Sequence, residues 1–436
     1  MGRKTYVQVG LGSRAEMYWE ALADKYRDSA TLVGICDTNP GRLEHVRAEL
    51  ARRDLTVPAY AAADFDRMLA ERKPDVVIVT SKDSTHDYYI CKALEAGVDV
   101  LTEKPLTIDE AKLQRILDTI ARTGKKVRVT FNYRYSPVRM QVKELLMSGI
   151  IGDIFSVTFQ WNLNTDHGAD YYRRWHRNKE NSGGLMVHKA THHFDLVNWW
   201  LSSVPVTVAA IGGRQFYTER MAREYGLQEH SERCHTCPVA PKCKFYLDLA
   251  AHRDLKYLYL DNEQYDGYFR DKCVFSSEID IEDTMCLTVR YKSGAMMSYA
   301  LNSFVPWEGY IIAFNGTKGR LEHEAQETVY ISGDGSVPGE MKPGGTKITV
   351  YPHFQASYDV PIRVTGGSHG GGDDILLEDI FGCDPQDDPT GARADQWSGA
   401  YSILTGIAAN KSMRTGEIVQ VESLVKGLKE PMYAKL

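Results

Sequence analysis

The first 131 residues alternate short apolar runs with longer amphipathic stretches. The short runs have the character of buried strands, and they lie at 6–9, 32–36, 76–80, 98–101 and 127–131. The longer stretches repeat apolar residues at helical spacing, and they lie at 15–26, 42–52, 85–96 and 109–122. Thr107, with Glu110 three residues later, predicts the N-cap of the last of these helices. This alternation predicts a parallel sheet covered by helices on both faces.

After residue 131 the pattern changes to alternating strands that follow one another without helices between them. Such strands are predicted at 154–162, 284–291, 295–302, 309–316 and 328–332, and helices at 137–148, 373–381 and 396–413. Consecutive strands of this kind predict a mixed or antiparallel sheet with one packed face. We therefore expect two domains, at 1–131 and 132–436, with a polar, cysteine-rich insertion at about 215–280.

Composition and charge narrow the class of protein. The 436 residues are 43% hydrophobic and 25% charged, which is ordinary for a globular protein and excludes a disordered chain. The net charge of -6, without any basic block, argues against a nucleic-acid partner and against attraction to anionic lipid. No apolar stretch approaches the roughly 20 residues of a membrane helix, and the first residues lack the features of a signal peptide. We expect a cytoplasmic protein with no membrane partner.

A glycine motif, G-L-G-S-R-A, follows the first strand and opens the first helix at 10–15. Gly10 allows a tight turn, Gly12 lets the backbone approach a pyrophosphate, and the small Ala15 lets helix and strand pack closely. Asp37 ends the second strand, where a carboxylate accepts hydrogen bonds from the adenosine ribose and repels a 2′-phosphate. The motif predicts a dinucleotide site that prefers NAD to NADP. A plain glycine-rich turn with an incidental acid is the alternative.

Three further motifs are S-T-H at 84–86, T-E-K-P-L at 102–106 and S-G-G-L-M-V-H-K-A-T-H-H-F-D at 182–195. With the glycine motif, and in this order, they resemble the Gfo/Idh/MocA oxidoreductases over most of the chain, the insertion being least similar. The resemblance implies an α/β fold, with an N-terminal Rossmann doubly wound parallel sheet and a C-terminal α/β domain with a large open mixed or antiparallel sheet. It also implies NAD(P), a small-molecule carbohydrate substrate and homo-oligomers through the exposed sheet face.

The resemblance assigns roles to residues of these motifs. Near the cofactor it places Gly10, Gly12, Ser13, Arg14, Asp37, Ser81, His86, Glu103 and Lys104. His192 matches the family's histidine and Asp195 its last acid, a substrate contact, whereas His188 stands where an aspartate is usual. Because the hydroxyl proton needs an acceptor with a pKa near the working pH, we expect His192 to be the general base. Lys104 is expected to orient the substrate oxygen, since a lysine reaches that pKa range only where burial or a neighbouring cation lowers it. His188 is a further catalytic and substrate-binding candidate.

Other substrate contacts are expected where the two domains should meet. Tyr133 and Arg134 follow the strand at 127–131, Arg174 precedes the histidine motif, and His369 lies in a glycine-rich loop. Aromatic and polar groups of this kind suit sugar faces and hydroxyls. A solvated loop and a surface turn are the alternatives for the last two positions.

Four cysteines of the insertion form a candidate metal site: Cys234, Cys237, Cys243 and Cys273. Four thiolates suit a tetrahedral structural zinc, and the spacing leaves an iron–sulfur cluster or reduced cysteines open. His188 and His192 also have the spacing for a metal, which is the weaker interpretation of that pair.

These features predict an NAD-dependent oxidoreductase that transfers hydride from a secondary hydroxyl of a sugar, cyclitol or glycoside. The alternative, which the resemblance also implies, is a redox-neutral NAD-dependent glycoside hydrolase or lyase, in which transient oxidation at C3 acidifies the neighbouring proton and elimination expels the aglycone. A non-catalytic NAD-binding regulator is a third hypothesis, which the presence of both Lys104 and His192 argues against.

Overall fold

The computed structural model describes residues 3–327, 341–363, 369–383 and 387–436. The strands are β1 (Lys4–Val9), β2 (Ala30–Asp37), β3 (Ala59–Ala61), β4 (Val76–Val79), β5 (Asp99–Thr102), β6 (Val127–Val129), β7 (Ile154–Asn164), β8 (Pro205–Gly213), β9 (Thr284–Tyr291), β10 (Met296–Val305), β11 (Gly309–Gly316), β12 (Gly319–Glu327), β13 (Met341–Pro352), β14 (Tyr358–Asp359), β15 (Ala394–Asp395) and β16 (Val419–Gln420). The α-helices are α1 (Glu16–Ala23), α2 (Pro40–Ala51), α3 (Phe65–Arg72), α4 (His86–Glu95), α5 (Glu110–Thr123), α6 (Pro137–Met147), α7 (Thr165–Arg173), α8 (Lys179–Ser182), α9 (Leu185–His188), α10 (Ala190–Leu201), α11 (Glu219–Glu224), α12 (Arg253–Leu258), α13 (Glu263–Asp266), α14 (Gly372–Phe381) and α15 (Gln396–Thr415).

The first sheet has the strand order β15-β6-β5-β4-β1-β2-β3. Its strands pair in parallel, except for β15, which runs antiparallel to β6. The chain leaves β1 for β2 on one side and reaches β4 on the other, so the strand order reverses beside β1. In sheets of this type, ligands bind outside the carboxyl ends of the strands at that reversal. This edge is therefore where the site is expected, and the doubly wound fold predicted for the first part of the chain is confirmed.

The second sheet has the order β14-β13-β12-β11-β7-β10-β9-β8-β16. Only β7 and β10 are parallel neighbours among the described strands, so the sheet is mixed, as predicted. The fully buried helix α10 packs against α15, and α15 packs on β8. The opposite face of the sheet carries exposed apolar side chains, namely Phe155, Ile211, Met296 and Ile311.

The sequence analysis missed the strands β8, β12 and β13 of the second sheet and the pair β3 and α3 of the first, and it misplaced one cap. Strand β3 has three residues and α3 is short and polar, so neither gives a clear apolar pattern. Helix α5 begins at Glu110, where the side chain of Asp109 accepts a hydrogen bond from the Lys112 amide at 2.8 Å, so the cap predicted at Thr107 is wrong. The strand predicted at 328–332 lies outside the described residues. No helix of the described ranges is long and apolar enough to cross a membrane.

The chain between β8 and β9 holds the cysteine-rich insertion. It forms the short helices α11, α12 and α13, and α12 with its flanking residues builds a small apolar cluster of the insertion's own: Leu247, Leu249, Leu255, Leu258 and Tyr259. Helix α12 packs against α2 of the first sheet's layer. The insertion therefore reaches the edge of the sheet where a dinucleotide is expected.

Candidate active site

The glycine motif forms a tight loop between β1 and α1. Gly10 has a φ of +86°, and a Cβ at this position would lie 2.5 Å from backbone atoms of Ser81, so only glycine fits. Gly12 is extended and precedes a single helical turn, Ser13–Ala15, that leads into α1. A backbone with this turn and this close approach fits the phosphates of a dinucleotide.

Asp37 is held rigidly at the end of β2. Its Oδ2 accepts a hydrogen bond from the Leu11 amide at 2.6 Å, and its Oδ1 accepts from the Asn39 amide at 2.7 Å. The Arg42 guanidinium also lies 3.1 Å from Oδ1. A carboxylate can accept about four hydrogen bonds, so Oδ2 keeps a lone pair for a ribose hydroxyl. The residues at this edge thus fit the predicted cofactor.

Several residues predicted to contact the cofactor instead hold the loops in place. The buried carboxylate of Glu103 accepts hydrogen bonds from Arg14 and Tyr18, both at 2.8 Å. The ring nitrogens of His86 lie 2.8 Å from the Pro105 carbonyl oxygen and 3.0 Å from the Ser81 carbonyl oxygen. Glu103 and His86 thus fix the loops on which they stand, and their nearness to the cofactor stays a prediction.

The side chains at the centre of the site form a chain of three groups. Lys104 follows β5, and its Nζ lies 3.4 Å from Nε2 of His188. Nδ1 of His188 lies 2.5 Å from Oδ2 of Asp83, in the turn after β4. Both ring nitrogens of His188 are thus engaged, which leaves none for a metal shared with His192. Asp83 was missed by sequence reasoning, although it stands directly before the S-T-H motif.

Burial favours the uncharged form of each group in this chain. It lowers the pKa of Lys104 to about 8, against the raising effect of Asp83 and Glu103. It lowers the pKa of His188 well below its ordinary value, and it raises the pKa of Asp83 well above its ordinary value. Burial is the first cause of each shift, and the Asp83 carboxylate, when charged, favours the ammonium form of Lys104.

His192 lies beside this chain but is held differently. Its ring stacks on Tyr133 with centroids 4.1 Å apart, and burial lowers its pKa well below the ordinary value. Its Nδ1 is buried without a hydrogen-bond partner in the described part of the chain. The Tyr133 hydroxyl accepts a hydrogen bond from Lys189 at 3.1 Å, and the His369 ring lies 5.5 Å from that of Tyr133. The structure therefore brings Tyr133, His192 and His369 together and adds Lys189, which the sequence analysis did not single out.

Two predicted substrate contacts lie in the core. Arg134 and Asp195 are fully buried and form a two-point ion pair, with nitrogen–oxygen distances of 2.7 Å and 2.6 Å. Because each satisfies the other, the prediction that they contact substrate is corrected to a structural pair. Arg174 pairs with Asp170 at 3.1 Å and keeps a partly exposed side chain close to His188.

The four cysteines of the insertion line one small cavity of about 20 Å³: Cys234, Cys237, Cys243 and Cys273. Burial raises the pKa of the Cys273 thiol to about 11, and its Sγ lies 3.4 Å from Nδ1 of His230. Across the described ranges, no group of three or more His, Cys, Asp or Glu side chains is arranged to hold a metal ion. The geometry of the described residues therefore does not support the predicted zinc or iron–sulfur cluster.

Two family models match the chain: "Oxidoreductase family, NAD-binding Rossmann fold" over 4–131 and "Oxidoreductase family, C-terminal alpha/beta domain" over 143–421. YteT of Bacillus subtilis, whose name gives it only as an oxidoreductase, is 37% identical over 97% of this chain and 100% of its own. An inositol 2-dehydrogenase of Rhizobium meliloti is 31% identical over 46% of this chain and 56% of its own.

Solved structures of similar proteins show the same fold. An aldose-aldose oxidoreductase from Caulobacter crescentus is 15% identical, with a TM-score of 0.63 over 96% of this chain and 100% of its own. The WlbA dehydrogenase from Bordetella pertussis, in complex with NADH and UDP-GlcNAcA, is 18% identical, with a TM-score of 0.62 over 96% of this chain and 99% of its own. At these identities the likeness concerns the fold alone.

Proposed function

The chain belongs to the Gfo/Idh/MocA oxidoreductase family, with its NAD-binding Rossmann fold, and we propose that it oxidises a secondary hydroxyl of a sugar, cyclitol or glycoside. The name of one relative, an inositol 2-dehydrogenase, supports this substrate class. The relatives described above include no glycosidase, so the redox-neutral alternative has no support among them.

We assign NAD to the edge formed by Gly10, Gly12 and Asp37. The glycines keep the loop narrow enough for its amides to reach phosphates, and Asp37 is placed for a ribose hydroxyl. When bound, nicotinamide supplies the acceptor for a hydride. The protein's own task is then to hold the hydroxyl carbon beside the cofactor site and to remove the hydroxyl proton.

The observation that carries the proposal is the buried chain from Lys104 through His188 to Asp83. With its pKa lowered to about 8, Lys104 has a neutral fraction near physiological pH that can accept the hydroxyl proton at Nζ. His188 holds the Lys104 amine at its Nε2, and Asp83 holds the His188 ring at its Nδ1. We therefore assign proton removal to Lys104 and leave His192, the base expected from the sequence, as a group that faces the substrate.

The walls beside Lys104 suit a polyhydroxylated ligand. The aromatic and imidazole rings of Tyr133, His192 and His369 lie together, and rings of this kind pack against the apolar faces of sugars. Lys189 and Arg174 add donors on either side of the histidines. We propose that these groups orient the substrate hydroxyls.

We also propose that the protein forms homo-oligomers through the open face of the second sheet, and we retain the cytoplasmic location as a prediction. One row of this face runs across five strands through Ile211, Cys286, Ala300, Gln160 and Ile311. Ile211 and Ile311 are exposed apolar side chains of this row, and exposed apolar patches are typical of interaction sites.

The test is a screen of inositols, aldoses and glycosides for NADH formation by the purified protein. A substrate should be found, and Lys104→Ala should lower kcat by roughly a hundredfold or more while NAD binding stays nearly intact. Lys92→Ala, which removes a surface lysine paired with Asp66, is the matched control. Full activity in Lys104→Ala, or aglycone release without NADH in the wild type, would refute the proposal.

A further inference from the structure

The insertion touches the predicted cofactor edge at two points. At the phosphate loop, the Tyr259 hydroxyl accepts a hydrogen bond from the Ser13 amide at 3.1 Å and lies 2.8 Å from the Ser13 hydroxyl. The Tyr259 side chain is buried, and the Arg270 guanidinium lies 5.7 Å from the centre of its ring. Tyr259 thus anchors residues 253–268 against the loop that is expected to hold the phosphates.

The second contact lies at the ribose end, beside Asp37. Asp266 of the insertion accepts a hydrogen bond from Asn39 at 2.9 Å and pairs with Arg42 at 2.8 Å. The packing here is close, because a Cβ at Gly41 would lie 1.7 Å from the Asn262 side chain. These residues fix the Asp266 carboxylate next to the start of α2.

The charges at this end determine which dinucleotide fits. Arg42 faces two carboxylates, Asp37 at 3.1 Å and Asp266 at 2.8 Å, which leaves one net negative charge on the three groups. In Rossmann sites a nearby arginine accommodates the 2′-phosphate of NADP. Here Asp266 engages that arginine, so a 2′-phosphate would meet an occupied guanidinium and an additional negative charge.

We propose that Asp266 is a cofactor-selectivity residue, with which the insertion reinforces the preference of Asp37 for NAD over NADP. The proposal rests on the NAD binding proposed above. Its structural basis is that Asp266 and Asp37 share the same arginine, although 229 positions along the chain separate the two acids. Through Asp266 the insertion, although it lies between two strands of the second sheet, contributes to the cofactor site of the first.

The test measures the dissociation constants of NADH and NADPH for the purified full chain. In Asp266→Asn, the preference for NADH over NADPH should fall by roughly tenfold, mainly through tighter NADPH binding, because Arg42 loses one carboxylate. Asp266→Glu keeps the charge and should restore most of the wild-type preference. Asp261→Asn, which removes an exposed carboxylate of the same segment paired with Lys256, should leave the preference unchanged.

A second perturbation reaches Asp266 without altering any charge. Gly41→Ala should displace the Asn262 side chain, and a shift of Asp266 that follows from this should change the preference in the same direction as Asp266→Asn. Wild-type selectivity in folded Asp266→Asn, or an equal change in Asp261→Asn, would overturn this inference while leaving the proposed NAD binding intact. A wild-type protein that binds neither nucleotide would overturn the proposed function, and the inference with it.

Discussion

The lowered pKa of Lys104 predicts the pH at which catalysis reaches half of its maximal rate. Burial lowers the pKa of Lys104 from 10.5 to about 8, which corresponds to roughly 3 kcal/mol in favour of the neutral amine. At pH 7 about a tenth of such side chains are neutral, against roughly one in three thousand for an ordinary lysine. Since lysine is cationic below its pKa, kcat/KM for alcohol oxidation should rise through about pH 8 and then level off.

Asp83→Asn tests whether this midpoint belongs to the chain of three groups. The Asp83 carboxylate raises the pKa of Lys104, so its removal should move the midpoint of kcat/KM below about 8. Asparagine keeps a donor toward Nδ1 of His188, which preserves the orientation of the ring. Asp118→Asn, an exposed change on α5, is the control and should leave the profile unchanged.

The assay is steady-state NADH formation with the best substrate of the screen, over a pH range in which the protein stays folded. A midpoint at or below about 6.5, the ordinary range of histidine, that Asp83→Asn leaves in place would refute the reasoning. Such a result would identify His192 as the acceptor of the substrate's hydroxyl proton, as the sequence analysis predicted. A midpoint near 8 in both proteins would show that Asp83 does not influence the pKa of Lys104, while Lys104 would remain the proton acceptor.

Three further predictions concern stability, assembly and thiols. Asp195→Ala should lower the free energy of unfolding in urea by about 3–5 kcal/mol, because it leaves the Arg134 guanidinium buried without its partner. Unchanged stability with a raised KM would instead show that Asp195 contacts the substrate. Ile311→Arg, on the open sheet face, should reduce the mass measured by light scattering to that of a monomer, and an unchanged oligomer would exclude this face. A thiol reagent should modify Cys383 quickly in the native protein, while Cys286 on the sheet face should become equally reactive only in Ile311→Arg.

Local sequence patterns predicted most of the fold because the elements that carry it are locally distinct. The core strands of the first sheet are continuous apolar runs, and β7, β9, β10 and β11 of the second sheet alternate clearly. Strand β3 was not predicted because three residues are too few to show an alternating pattern. Helix α3 was not predicted because an eight-residue polar helix resembles a loop in sequence. The cap of α5 was misplaced because Thr107 and Asp109 are both suitable N-cap residues, and only the backbone decides which one begins the helix.

The candidate site was predictable only where its residues stand in contiguous motifs. Lys104 and His188 were found in this way, whereas the pairing of His188 with Asp83 joins positions 105 residues apart and has no local signature. The same limit explains the error at Arg134 and Asp195. Each was assigned to the cleft from its place beside a motif, and only packing shows that they neutralise each other 61 residues apart.

The pairing with Asp83 also explains the chemical effect of a histidine at position 188. The resemblance places an aspartate at this position, and a carboxylate there would lie against Lys104 in a buried site and favour its ammonium form. A neutral imidazole at position 188 places no negative charge in contact with Lys104. The Asp83 carboxylate lies on the far side of the His188 ring, away from the Lys104 amine. The amine keeps a hydrogen-bond partner while its pKa stays low enough for proton removal near neutral pH. The departure from the family pattern therefore does not remove the acid from the site. Asp83, in the loop after β4, supplies a carboxylate to the site through the His188 ring.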